Sequence, residues 1–343
     1  MSPKKQSAPY EGVRVLVTGG MGFIGSNLVI ALVQQGALVT VVDAQVAGCG
    51  ANPANLEEVQ DRIQLSTDDI RDADRMRQLI PGQEVIFNLA GEIRHVKSMT
   101  NPLRDMSINC AAQLQFLDVC RTSNPSATIV YASSRQVYGR PQFLPVNEEH
   151  PVNPVDYNGV HKHAAEQYHF LLHRQFHMHT ICLRLGNVYG PRQAIHQDFR
   201  GFIDVFLRTA LGGGQIIIFG NGKQIRDMTY VDDVVDAFLK SGLAGPEAAL
   251  VYNVGNSEPV SLIQIARTLS RITASPPPRL EPFPPEHSAI DIGDYFTNSE
   301  KFRRQFGWFP QVGLEEGLER TVSFFRFQSH ERDLQYADPD SLS

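Results

Sequence analysis

The chain has 343 residues, 42% apolar, 20% charged and 9% aromatic, with 27 glycines and 21 prolines. That composition excludes collagen, a coiled coil and wholesale disorder, and the length allows one large α/β unit or two modest domains. Lys and Arg number 31 against 37 Asp and Glu, a net charge of −6, so no nucleic-acid partner is expected.

Residues 1–11 carry Lys4 and Lys5 but no apolar stretch, and read as a flexible N-terminus rather than a secretory signal. Residues 13–18 form an apolar run expected to be a strand, followed by a glycine-rich turn and a helix over 24–35 that Gly36 stops. Further strands are expected at 38–42, 62–65, 84–88, 128–131 and 180–185, with helices over 102–121 and 157–177. Strands alternating with helices predict an α/β fold, a Rossmann-like doubly wound parallel sheet. The second half is less regular: helix 202–210, strand 215–219, helix 232–241, a loop over 275–285 with six prolines, helix 314–327, and a loose polar tail over 328–343.

No apolar run approaches 18 residues, so no membrane-spanning helix is expected. Cys49, Cys110, Cys120 and Cys182 are scattered without a C-x-x-C pair, which suggests a reduced, cytoplasmic protein. His169, His173 and His177 recur at spacing four, but no H-E-x-x-H motif or paired cysteine supports a metal. The stripe is expected to be exposed or at a subunit contact, and Trp308 is expected in the core.

The strongest local signal is Gly19-Gly20-Met21-Gly22-Phe23-Ile24-Gly25, between a strand and a helix. Gly19 permits a tight turn, Gly22 lets backbone N–H groups approach a pyrophosphate, and Gly25 permits close packing of the helix that Phe23 and Ile24 open. The helix N-terminus then faces the negative charge. Asp43 ends the next strand, 18 residues after Gly25, where a carboxylate accepts from ribose hydroxyls. It would repel a 2′-phosphate, and Ala44 and Gln45 offer no cation, so NAD is expected over NADP. Asp69-Ile70, after the third strand, is a candidate adenine contact.

Five blocks in order carry a resemblance to the extended short-chain dehydrogenase/reductase family, the NAD-dependent nucleotide-sugar epimerases and dehydratases. They are Thr18 to Gly25, Asn88-Leu89-Ala90-Gly91, Tyr131 to Gly139, Leu183 to Arg192, and Arg226 to Asp233, and the resemblance covers about residues 12–325. It implies an NAD-binding domain over 12–188, with 225–252 returning to it, and a nucleotide-sugar-binding region over 189–224 and 253–327. It also implies oxidation of a sugar hydroxyl by NAD, alteration of the keto-sugar and, often, its reduction. Leu89, Ala90 and Gly91 would line the cofactor. Ser134, four residues before Tyr138, matches the Ser that hydrogen-bonds the reacting sugar oxygen. Asn187 and Arg226 match the diphosphate contacts, Arg192 is a further candidate, and Phe202 lies where the family cradles the nucleotide base. A further Arg usual near residue 290 is missing from Ile290-Asp291-Ile292-Gly293-Asp294.

The family's Tyr-x-x-x-Lys pair is altered. In Tyr157-Asn158-Gly159-Val160-His161-Lys162, followed by Glu166, the pattern Y-G-x-x-K-x-x-x-E aligns Lys162 and Glu166 and puts Asn158 in the tyrosine slot. Two readings compete. Either Asn158 fills the slot and supplies no phenol base, or an irregular helix start brings Tyr157 in. A regular helix favours Asn158, since five residues turn about 500° and take Tyr157 off the Lys162 face. Lys162 would hold the nicotinamide ribose in both.

Dehydrating members carry Asp-Glu straight after the catalytic hydroxyl residue, where this chain has Arg135-Gln136, and decarboxylating members usually keep the Glu. Epimerisation through a keto-sugar is therefore expected, with a dehydratase or another atypical family reaction as one alternative and a non-catalytic binding protein as the other. Arg135 and His95 are candidate groups near the sugar. The resemblance also implies a homodimer built on helices 102–121 and 157–177.

Overall fold

The central strands are apolar runs buried on both faces, as in a parallel sheet covered by helices. The computed structural model describes residues 8–195, 201–282 and 292–336, with side chains as far as residue 328. In chain order the first half runs β1 (Arg14–Thr18), α1 (Phe23–Gln34), β2 (Leu38–Val42), β3 (Ile63–Ser66), α2 (Ala73–Leu79), β4 (Val85–Asn88), α3 (His95–Thr100), α4 (Pro102–Met106), α5 (Ala112–Ser123), β5 (Thr128–Ser134), α6 (Tyr157–Phe176) and β6 (Thr180–Leu185). The second half holds β7 (Asn187–Tyr189), α7 (Phe202–Leu211), β8 (Ile217–Phe219), β9 (Ile225–Tyr230), α8 (Val231–Gly242), β10 (Val251–Val254), β11 (Pro259–Ser261), α9 (Leu262–Thr273) and β12 (Arg279–Glu281). Helices Glu300–Phe306 and Leu314–Tyr336 follow.

Seven strands form one sheet in the order β10-β6-β5-β4-β1-β2-β3, and every neighbouring pair is parallel. The order reverses between β1 and β4, so a crevice opens at their carboxyl ends, where such sheets bind ligands. A three-stranded sheet, β11-β9-β7, and a two-stranded one, β12-β8, build a second lobe across that crevice. Each lobe has its own core, one around Val15, Phe87 and Phe238, the other around Phe206, Ile265 and Leu318. Among the described residues no helix is long and apolar enough to cross a membrane.

Several expectations are revised. Helix 102–121 is interrupted by a π-helical turn, Ser107–Ala111, between α4 and α5. The proline-rich stretch contains β12, which pairs with β8 through Ile217 to Phe219; residues 283–291 lie outside the described residues. The last helix runs on to Tyr336, well into the expected tail, because nothing from Gln328 to Tyr336 is a helix breaker. Phe302 and Trp308, expected in the second region, belong to the first core. Trp308 is buried as expected and donates from Nε1 to the Asp233 carbonyl at 2.9 Å. His169 is not exposed: it is buried and stacked on Tyr131 at 4.9 Å, where burial pushes its pKa down to about 3.

One buried ion pair locks α6 to the sheet. Arg184 on β6 donates from Nε and Nη2 to the two oxygens of Glu166 at 2.9 and 2.7 Å, while Ser133 donates to Glu166 Oε1 and Arg184 Nη1 donates to the Tyr138 hydroxyl at 2.9 Å. Burial alone would raise the Glu166 pKa, but the Arg184 bonds outweigh it and bring it to about 2. The folded value lies below the unfolded one, so this stability is complete above the ordinary carboxylate range and is lost as pH falls towards 2. Arg184→Ala strands the carboxylate and should cost about 3–5 kcal/mol in urea unfolding at neutral pH, with acid unfolding moved to higher pH. A loss below about 1 kcal/mol would show the pair to be dispensable.

Candidate active site

A single cavity of about 580 Å³ runs along the crevice and is walled by both lobes. Its floor is the turn after β1. Gly19 has φ +68, and a Cβ there would lie 2.9 Å from the Ala90 nitrogen; one on Gly25 would lie 2.2 Å from the Gly19 carbonyl oxygen. The constraint at Gly25 is thus the loop's own backbone rather than the sheet. Gly22, Phe23 and Ile24 line the same wall, and α1 starts with no side-chain cap and no acidic residue in its first turn. Its first N–H groups therefore stay available for an anion. Asp43 stands at the end of β2, accepting from the Met21 and Gln45 N–H groups, each at 3.0 Å, and burial pushes its pKa up. Asp69 and Ile70 line the far end, with Asp69 paired to Arg71 at 2.6 Å.

The loop Leu89-Ala90-Gly91 is held by residues to which the sequence reading gave no role. Thr18 Oγ1 accepts from the Leu89 and Ala90 N–H groups, both at 3.1 Å. Gln113 donates to the Ala90 carbonyl at 3.0 Å, and Asn109, in the π-helical turn, accepts from the Glu92 N–H at 3.0 Å and donates to its carbonyl at 3.0 Å. The extra backbone residue of a π turn turns Asn109 inward; such turns recur at functional sites. The hint in the sequence was two amides four residues apart on a helix that needed no interior polar group.

Opposite this loop, α6 carries the altered pair. Lys162 is buried, lies against Gly91, and donates to the Ala132 carbonyl at 3.1 Å. Burial pulls its pKa down to about 8, against the opposing pull of Asp105 and Glu166. Asn158 lines the cavity, and its Nδ2 donates to the Glu92 carbonyl at 2.8 Å and to Asp105 Oδ2 at 2.9 Å. The other Asp105 oxygen meets His161 Nδ1 at 2.7 Å. Tyr157 is outside the cavity lining: it is 44% exposed and stacks on His161. The helix is regular from its first residue because Asp156 Oδ1 caps it, accepting from the Gly159 N–H at 2.7 Å. The structure therefore brings Asn158 and not Tyr157 to Lys162.

Ser134 ends β5 in the cavity wall and accepts from the Gln136 N–H at 3.3 Å, leaving its hydroxyl hydrogen to donate. His95, also in the wall, sets Nδ1 against Asp156 Oδ2 at 3.1 Å and Nε2 against the Gln136 amide. Arg135 stacks 4.9 Å above the Tyr295 ring and donates from Nη2 to Asn187 Oδ1 at 3.2 Å. Asn187 in turn donates to the buried Asp227 at 2.6 Å. Arg226 and Phe202 face the same cavity from the second lobe, Arg226 anchored by donation to the Ile225 and Gly293 carbonyls at 2.8 and 2.6 Å. Arg192 is a correction. It lies off the cavity lining, donating to Asn27 Oδ1 of α1 at 3.0 Å and to Glu58 Oε1 at 2.5 Å, so it ties α1 to the turn at Pro53–Arg62 instead of lining the cavity. Among the described residues no cluster of His, Cys, Asp and Glu is arranged to hold a metal.

The sequence model of the NAD dependent epimerase/dehydratase family matches residues 15–255. The chain is 33% identical over 325 residues to UDP-glucose 4-epimerase of Mycolicibacterium smegmatis, covering 92% of this chain and 100% of that protein. It is 29% identical to UDP-glucuronic acid decarboxylase 1 of Xenopus tropicalis, covering 97% of this chain and 77% of that one. The crystal structure of UDP-glucose 4-epimerase from Thermotoga maritima with UDP-glucose superposes with a TM-score of 0.84 at 30% identity, over 92% of this chain and 100% of that chain. The chain belongs to the NAD-dependent epimerase/dehydratase family. It is accordingly an enzyme of that NAD-dependent class, and the open α1 N-terminus beside Gly19, Gly22 and Asp43 suits a dinucleotide.

With Tyr157 turned to the surface, Tyr157→Phe should lower kcat by well under tenfold, whereas loss of a general base costs about 10²–10⁴-fold. Steady-state assays read against Ser134→Ala, which should be impaired, decide it. A drop of 10²-fold or more with Tyr157→Phe in a folded protein would restore the tyrosine as base.

Proposed function

We propose that this enzyme epimerises a nucleotide-diphosphate sugar through a transient keto-sugar. The observation that carries this is one cavity walled by the glycine turn, by Ser134 and Lys162, and by Asn187, Phe202 and Arg226. Bound NAD supplies reversible hydride acceptance. Gly19, Gly22 and the first turn of α1 would hold the pyrophosphate, Asp43 would take the adenosine ribose hydroxyls, and Asp69-Ile70 would border the adenine. Leu89, Ala90 and Gly91 would floor the cofactor, and Lys162 would hold the nicotinamide ribose. Ser134 donates to the reacting sugar oxygen. Asn187 and Arg226 hold the diphosphate, where a guanidinium suits phosphate oxygens, and Phe202 offers the base a face.

Elimination needs a second acid–base pair beside Ser134, and that place holds Arg135 and Gln136, neither of which exchanges a proton at neutral pH. This favours epimerisation over dehydration, and the UDP-glucose 4-epimerase relatives favour a UDP-hexose. We place the enzyme in the cytoplasm as a homodimer. α4 and α6 pack side by side and leave Leu103 73%, Leu171 52% and Val160 46% exposed on one flank, an apolar surface suited to a second copy. Leu117, by contrast, is spent in the core.

Incubation of the NAD-loaded enzyme with a panel of nucleotide sugars, read by NMR, should return a 4-epimer of a UDP-hexose. A keto-deoxy sugar would mean dehydration, and no product with any sugar would favour a binding protein. Arg226→Ala should weaken UDP-sugar binding at least about tenfold, the worth of a hydrogen bond to a charged group, and leave NAD binding unchanged; equal loss of both would make Arg226 structural. Light scattering at micromolar concentration should give twice the 38.2 kDa chain mass, and the monomer mass would reject the dimer.

A further inference from the structure

Seating Asn158 where the family has tyrosine leaves the proposed oxidation without a proton acceptor, since a carboxamide takes no proton at neutral pH. Lys162 does not fill the gap, because its amine is turned to the Ala132 carbonyl and Gly91. Of the other side chains lining the cavity that could take a proton, Asp43 and Asp69 stand at the proposed adenosine end, Cys49 meets Glu92 and Asp204 accepts from Gln193, whereas His95, at the start of α3, which packs on α6, stands against Gln136. Its side chain is 26% exposed, open to the cavity but partly shielded.

Its surroundings arrange it as a base. Asp156 Oδ2 lies 3.1 Å from Nδ1, and Asp156 itself is fixed through Oδ1 to the Gly159 N–H of α6. A carboxylate at Nδ1 keeps the proton on that nitrogen and leaves the Nε2 lone pair outward. The Gln136 carboxamide sits against Nε2, on the side from which a ligand hydroxyl would approach it. Ser134, two residues before Gln136, lies on the same wall.

We propose that His95, oriented by Asp156, is the proton acceptor of this enzyme in place of the family's tyrosine. Its Nε2 takes the sugar hydroxyl's proton while the hydrogen on the same carbon leaves with its electron pair as hydride to the oxidised nicotinamide, and the carbon–oxygen single bond becomes a carbonyl. The return step runs in reverse: the imidazolium gives back the proton as hydride adds to the other face of the keto-sugar. His95 is the catalytic residue and Asp156 a positioning one. The assignment rests on the nucleotide-sugar reading above.

The test uses the NAD-loaded enzyme with the UDP-hexose that the panel identifies. His95→Gln should cut kcat, and the rate of absorbance change at 340 nm, by about 10²–10⁴-fold while KM and UDP binding stay within about threefold. Imidazole added to His95→Ala should restore part of the rate. Asp156→Asn, which keeps the helix cap, should lower kcat and not KM. A readout independent of turnover is ¹⁵N NMR of the imidazoles: His95 should carry its proton on Nδ1 in the wild type and lose that preference in Asp156→Asn. Full activity of His95→Gln, or a wild-type His95 protonated on Nε2 alone, would overturn the assignment while leaving the epimerase reading intact. A wild type that turns over no nucleotide sugar would overturn both.

Discussion

The carboxylate of Asp156 is the constraint on which the site depends. One oxygen accepts the Gly159 N–H and so fixes where α6 begins; the other meets His95 at the start of α3. Because the cap sets the first residue of a regular helix, it also sets the phase of every residue after it. Tyr157 is sent outward, Asn158 and Lys162 inward, and Glu166 is carried one turn further to Arg184. Burial raises the Asp156 pKa, but its bonds to His95 and Gly159 outweigh that and hold it below the usual carboxylate range, so it stays ionised for both tasks.

Asp105 completes the arrangement from the opposite side. Buried on α4, it accepts from Asn158 and contacts His161, and its charge helps hold the proton on Lys162. On the proposed assignment, the acid–base side of the cavity wall is built around the His95 imidazole.

The parallel sheet was legible in the sequence because its strands are short apolar runs separated by glycine or polar turns, and the glycine turn because only its residue types fit the backbone of Gly19 and Gly25. Spacing favoured Asn158 over Tyr157 on the Lys162 face without deciding between them, and α6 is regular from its first residue. What was hidden depends on long-range partners. The sequence assigns no role to Asn109 and Gln113 before the π turn aims one of them inward, or to Asp156 before its second oxygen finds His95. Arg192 looked like part of a ligand-facing motif, yet its positive φ and the reach of Asn27 and Glu58 take it away. His169 followed an exposed stripe by spacing, but stacking on Tyr131 draws it into the interior. Such outcomes are set by tertiary packing, which a periodicity of one helix does not contain.

The most direct measurement is a crystal structure of the enzyme with NAD and a UDP-hexose bound. It should show His95 Nε2 within hydrogen-bond distance of the sugar hydroxyl that also meets Ser134, with Gln136 displaced and Tyr157 on the outer flank of α6. A Tyr157 hydroxyl between Lys162 and the sugar, with His95 turned from the ligand, would contradict the account.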